Sequence, residues 1–187
     1  MSVKIFEPSS IIEKENIKFG KFIIIDDFVK IHAKSKIILG NHIHIGSYSS
    51  LMASGAQIKM DDFSGLSFGV RLVTSSDDFS SYGFGNPTIG LEYRNVKSGE
   101  IHIGKFSIIG TNSIILPGVK IPEECAVSAG SVVTKSLKPW GIYHGNRRVG
   151  DRDKEGILKN YEKFLSTNIN SRIGRVFKLW YMYLHHV

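Results

Sequence analysis

The sequence has a single cysteine, Cys125, so no intrachain disulfide can hold it together. It contains no apolar run approaching the roughly 20 residues that span a bilayer. Residues 1 to 8 also lack the long apolar stretch of a secretory signal. These absences predict a cytoplasmic protein whose membrane contact is at most peripheral. Acids are scarce relative to bases, 17 Asp and Glu against 24 Lys and Arg, which leaves a formal charge of +7. That excess suits an anionic partner, and nucleic acid, acidic lipid and a phosphate-rich cofactor all qualify. With 187 residues, 42% of them hydrophobic, the chain can fill one ordinary core with appendages rather than two domains.

What the sequence does have is a period. Aliphatic residues recur every six positions at Ile103, Ile109, Ile115, Ile121, Val127 and Val133. Four residues after each comes a smaller or short companion: Ser107, Ser113, Val119, Cys125, Ser131, then the larger Leu137. The same grammar runs earlier through Phe19, Ile25 and Ile31, through Leu39, Ile45 and Leu51 after a two-residue slip, and through Met60, Leu66 and Leu72 after a longer one. Their companions are Ile23, Val29, Ser35, Ile43, Ser49, Gly55, Ser64, Val70 and Ser76. Strands alternate with period two and helices with 3.6, so a sustained six means short strands joined by turns in a regular coil. Three sides close a triangle, with the large residue inside and the small one at the crowded corner. The spacing predicts an all-β parallel β-helix of about five coils, three over 17–72 and two or slightly more over 100–138.

Two segments break the period. Residues 73–99 form a long, polar, glycine-containing excursion, and an excursion from a rigid coil is where function concentrates. After Pro139 the repeat stops and two helical patterns follow, Ile157, Leu158, Tyr161, Phe164 and Leu165, then Ile173, Val176, Phe177, Trp180 and Leu184. They predict a C-terminal turn and helical tail over 139–187 that caps the open end of the 1–138 solenoid.

The stretch IIGTNSIILPGVKIPEECAVSAGSVVTKSL resembles the last coils of hexapeptide-repeat acetyltransferases, especially the galactoside, maltose and surface-polysaccharide sugar O-acetyltransferases. LPGV at 116–119 and AGSVVTK at 129–135 carry it most specifically. The resemblance implies a left-handed β-helix, a homotrimer with sites between subunits, acetyl-CoA as co-substrate, a sugar acceptor used for surface polysaccharide, and neither metal nor nucleic acid. By position it places the cofactor contacts on Thr111, Ala129, Gly130, Thr134 and Lys135, plus a basic residue after the Gly145-Asn146 turn. That residue is Arg147 or Arg148, since the Pro-Ala the family shows there is missing.

The family's catalytic histidine aligns with Asp77, beside Asp78. A carboxylate is a poor base for a hydroxyl but can orient an amine, which attacks once neutral, so Asp77 tilts the reading toward N-acetylation. His102, outward on the coil that receives the excursion, is a second candidate for the base, and His44 holds an equivalent position. Asp61, at a repeat corner, reads as structural. Tyr82, Phe84, Tyr93 and Arg94 could shape the acceptor pocket, the rings by stacking and the guanidinium by gripping an anion. His185 and His186 lack companion ligands, so no metal is expected. Two other readings remain: a non-catalytic or metal-dependent trimeric β-helix, and a scaffold docked on a membrane through the basic aromatic tail (Arg172, Arg175, Lys178 with Phe177, Trp180, Tyr181).

Overall fold

A computed structural model describes residues 3–78 and 80–169. They divide into two compact units, the first ending at Arg152 and the second beginning at Asp153.

The first unit is a parallel β-solenoid of about seven turns. Its first coil holds β1 (Val3–Ile5), β2 (Ser10–Ile12) and β3 (Ile17–Phe19), its second β4 (Ile23–Ile25), β5 (Lys30–Ala33) and β6 (Ile37–Leu39). The third holds β7 (His44–Ile45), β8 (Ser50–Ala53) and β9 (Ile58–Met60). The fourth runs through β10 (Gly65–Leu66) and β11 (Arg71–Val73), leaves for the excursion with β12 (Ser75–Asp77) and β13 (Val96–Ser98), and returns in β14 (Ile101–Ile103). Then come β15 (Ile108–Ile109), β16 (Ile114–Ile115) and β17 (Lys120–Ile121), followed by β18 (Ala126–Val127) and β19 (Val132–Val133). Successive coils stack into three parallel sheets. Side A carries β1, β4, β7, β10, β15 and β18; side B carries β2, β5, β8, β11, β16 and β19; side C carries β3, β6, β9, β14 and β17.

The expectation of about five coils is an undercount. Val3, Ile5 and Ile11 build a coil before residue 17, and β20 (Gly141–His144) lies on β18 in parallel to begin a last one. β21 (Arg147–Asp151) folds back antiparallel on β20, so the solenoid unit extends to Arg152 rather than ending at 138.

The aliphatic set lies inside: Ile103, Ile109, Ile115, Ile121 and Val133 are wholly buried, as are Ile25, Ile31, Ile45, Leu51, Met60 and Leu72. Each such side chain contributes roughly 1.5–3 kcal/mol by leaving water. The small companions do more than avoid crowding. Ser107 Oγ donates to Pro122 O at 2.7 Å and accepts Cys125 N–H at 3.0 Å; Ser49 repeats the pattern with Ser67 O and Val70 N–H. At Ser49, Ser107 and Ser113 a buried hydroxyl thus ties one coil to the next where the corner leaves backbone groups unpaired. Ser76 is an exception, because it belongs to β12 and not to a corner.

The corner from side C to side A carries a stacked column: Phe22 on His42 (4.6 Å between ring centres), His42 on Phe63 (4.5 Å), Phe63 on Phe106 (5.2 Å). All four have φ of 58° or 59°, a conformation that bulky residues avoid. Stacking along the axis compensates part of that cost.

The excursion is anchored by β12 and β13, which pair antiparallel from Ser75 opposite Ser98 to Asp77 opposite Val96. In the second unit, the first helical pattern forms α1 (Lys154–Ile169), whose N-terminus is capped by Asp153 Oδ1 accepting Gly156 N–H at 2.9 Å. The pattern Ile173 to Leu184, the tail residues Arg172 to Tyr181, His185 and His186 lie outside the described residues. No helix among the described residues is long and apolar enough to cross a membrane.

Candidate active site

The cofactor residues expected from the sequence gather around the upper end of side B. Thr111, Ala129 and Gly130 lie on successive corners between sides A and B, with Gly130 N–H donating to Thr111 O at 2.8 Å. Close approach of the two corners requires Gly110, since a Cβ there would lie 2.5 Å from Ala129 N. Ala129 and Gly130 are exposed, leaving an open shelf along this corner. Thr134 and Lys135 lie at the opposite edge of side B, just after β19, both exposed.

The two arginines separate cleanly. Arg148 is committed: its guanidinium donates to Asp151 Oδ1 (Nε 2.7 Å), to Trp140 O (3.2 Å) and to Pro139 O (3.3 Å). Arg147 is exposed, and its guanidinium makes no ion pair among the described residues.

At the excursion's root, Asp77 meets Arg94 through two parallel hydrogen bonds, Nε to Oδ1 at 2.9 Å and Nη2 to Oδ2 at 3.0 Å. The Arg94 guanidinium holds the Asp77 carboxyl below the usual carboxylate range. Asp78 accepts from Ser80 N–H (3.0 Å) and Ser80 Oγ (2.7 Å) on one oxygen, and from Asn95 Nδ2 (2.9 Å) and Lys97 Nζ (3.0 Å) on the other. Those bonds, the Ser80 backbone amide foremost, hold it down at about 2. Both acids are therefore ionised at neutral pH and weak as proton acceptors. Arg94, expected to grip a substrate anion, spends its planar fork on Asp77 instead. Tyr82 is 72% exposed and Tyr93 52%; Phe84 and Tyr93 contact each other at a tilt, 6.1 Å between centres.

His102 points outward from side C, where its Nε2–H donates to Asp61 Oδ2 at 2.6 Å. Lys59 Nζ bonds the other oxygen at 2.9 Å. Burial pushes the Asp61 carboxyl up, but the bonds from Lys59 and His102 outweigh it and the net shift is downward. Asp61, structural in the sequence reading, bonds His102 and so fixes the orientation of its ring. His44, on side A, bonds Asp26 Oδ2 at 2.9 Å and borders a shallow groove of about 330 Å³ lined also by Ser67, Phe68 and Ile108. Ser67 Oγ lies 2.8 Å from Thr111 Oγ1, so the groove adjoins the open shelf at Thr111, Ala129 and Gly130. Neither Ser67 nor Asn146, described below, was singled out by sequence; a Gly-Asn pair closing a hairpin was the only signal for the latter. Among the described residues no group of three or more His, Cys, Asp or Glu is arranged to hold a metal ion.

No family model matches the chain. It is 33% identical over 157 residues to the dTDP-4-amino-4,6-dideoxy-D-glucose acyltransferase of Escherichia coli, covering 82% of this chain and 81% of that one. It is 36% identical to AntD, an N-acyltransferase from Bacillus cereus solved with dTDP and 3-hydroxybutyryl-CoA, at a TM-score of 0.83 over 89% of this chain and 88% of the other. A maltose O-acetyltransferase from Clostridium difficile 630, 22% identical, shares the fold at a TM-score of 0.61 over 75% and 73%. The chain belongs to the hexapeptide-repeat sugar acyltransferases.

Proposed function

We propose that this protein transfers an acyl group from acyl-CoA to the amine of a nucleotide-linked sugar. The observation that carries the reading is Asp77: where the O-acetyltransferases place a histidine, this chain has a carboxylate kept ionised by Arg94. An ionised carboxylate cannot usefully deprotonate a hydroxyl, but it accepts a hydrogen bond from an amine N–H and aims the lone pair at the thioester carbonyl. The C–N bond forms, the C–S bond breaks, and the proton shed by nitrogen ends on the departing sulfur as the free thiol. The relatives support this choice, one acting on a dTDP-amino sugar and the other holding dTDP beside an acyl-CoA.

In this reading the pantetheine arm lies along Thr111, Ala129 and Gly130, while Thr134, Lys135 and Arg147 receive the phosphates as charge-assisted pairs. Tyr82 and Tyr93 offer exposed rings to the acceptor. The protein works as a homotrimer. Ile24 (41% exposed) and Ile108 (52%) on side A, with Phe28, Tyr48 and Phe68 on the adjoining corner, form an apolar surface suited to a second copy. A reducing cytoplasm suits the lone buried thiol of Cys125.

The test is release of free thiol from acyl-CoA against a panel of amino and hydroxy nucleotide sugars. We expect turnover with amino sugars only. Turnover confined to hydroxyl acceptors refutes the amine assignment, and release with none refutes the transfer.

A further inference from the structure

Among the described residues β19 is the last strand of side B, so no described strand pairs with its upper edge and the corner after it would be left with unpaired amides. One side chain closes that gap. Asn146, in the turn between β20 and β21, accepts Thr134 N–H at 2.9 Å and Lys135 N–H at 3.2 Å on its Oδ1, and donates from Nδ2 to Thr134 Oγ1 at 2.7 Å. Its carboxamide stands in for the strand that a further coil would have supplied. Two consequences follow from that geometry. The backbone donors of Thr134 and Lys135, which could otherwise form an anion cradle, are occupied. At the same time the clamp fixes Lys135 to the residue directly preceding Arg147, so the two cations are held at one edge of the solenoid.

We infer that Asn146 is a positioning residue for phosphate recognition: it sets Lys135 and Arg147 side by side, so that the cofactor's phosphates are read by two side-chain cations and not by backbone amides. The inference rests on the acyl-CoA reading above and adds to it the device that makes the phosphates count. Loss of the carboxamide frees the Thr134–Lys135 corner to move independently of Arg147, and two cations at variable separation bind a polyphosphate less tightly than a preset pair. Arg148, in contrast, secures the same hairpin from the other side through Asp151 and Trp140 O, without touching the corner.

The test compares acyl-CoA with the corresponding acyl-pantetheine, which carries the thioester without the phosphates. The readout is the ratio of their kcat/KM values in the full-length protein with an amino-sugar acceptor. Asn146→Ala should lower that ratio about tenfold, as should Lys135→Ala and Arg147→Ala singly, and Asn146→Ala combined with Lys135→Ala should lower it by much less than the product. Arg148→Ala should loosen the hairpin, seen as a lower melting temperature, with the ratio held within twofold. If Asn146→Ala depresses both donors equally, its role is structural only and the inference fails. An unchanged ratio in Asn146→Ala, with a large drop in Lys135→Ala, also defeats it. A parent protein that does not distinguish the two donors would show that the phosphate subsite itself is misplaced, and one that turns over neither would remove the acyl-CoA reading beneath it.

Discussion

Arg94 holds Asp77 by both carboxylate oxygens across the paired strands β12 and β13, seventeen residues apart in sequence, so the one acid aligned with a family histidine is fixed in place and in charge. Arg94→Lys keeps the positive charge but loses the two-pronged geometry. We expect acceptor kcat/KM to fall about tenfold, equivalent to roughly 1.4 kcal/mol, with the KM for acyl-CoA unchanged within twofold. Steady-state thiol release under varied acceptor and varied donor reads both.

His102 offers a direct check on whether a base is needed. If an amine is the nucleophile, His102→Gln should keep kcat/KM for the amino sugar within about threefold. A loss beyond tenfold would transfer the proton-accepting role to the His102–Asp61 pair on side C.

Glu124 sits at the corner above Phe106, 1% exposed, and neither carboxylate oxygen has a hydrogen-bond partner among the described residues. Burial raises its carboxyl from the ordinary 4.5 to about 7, with Arg152 and Lys105 opposing the shift and Glu123 adding to it. In this range the folded state binds the proton more tightly than the unfolded one, so stability falls as pH rises from about 4.5 to about 7 and stays reduced above that. Glu124→Gln removes the titration. It should raise stability at pH 8 by on the order of 2 kcal/mol and flatten the slope between those pH values, as read from urea unfolding at several pH values. A slope unaltered by the substitution would contradict the assignment.

Ile115 is wholly buried on β16, the second strand from the end of side B, with β11 on one flank and β19 on the other. Ile115→Ala leaves a cavity that rigid neighbouring coils cannot close, and should cost about 3–4 kcal/mol. Chemical denaturation reads this, and we expect little change in the KM for either substrate.

The period of six was legible because each coil must place one large aliphatic residue per side, and that demand leaves a mark on composition that no tertiary contact can blur. The first coil escaped notice because its core series Ile5, Ile11 and Phe19 steps from six to eight across Glu13 to Asn16 before it has established itself. The seventh was hidden because the buried Tyr143 follows Val133 by ten residues, where the period calls for twelve. In the site, Thr111, Ala129, Gly130, Thr134 and Lys135 were nominated through the family resemblance, which fixed corner spacing allows to be carried across by position. The pairs Asp77–Arg94 and His102–Asp61 could not. The first depends on the register of an irregular hairpin, the second on which coil stacks on which. Sequence therefore located the charged groups but not their partners, and the partners decide whether a carboxylate acts as a base, a clamp or an acceptor of hydrogen bonds.

The three edges of the prism do not tolerate length alike. From side A to side B the core residues are always six apart, as in Ile25 to Ile31 or Ile109 to Ile115, and from C to A likewise, as in Leu39 to Ile45. From B to C the spacing is eight between Ile31 and Leu39, nine between Leu51 and Met60, and thirty-one between Leu72 and Ile103. Every irregularity in the coil is confined to one seam. The excursion that carries Asp77 is thus the longest of a graded set of outgrowths from that seam, and this one edge can lengthen or vary without disturbing the stacked column or the corners between sides A and B.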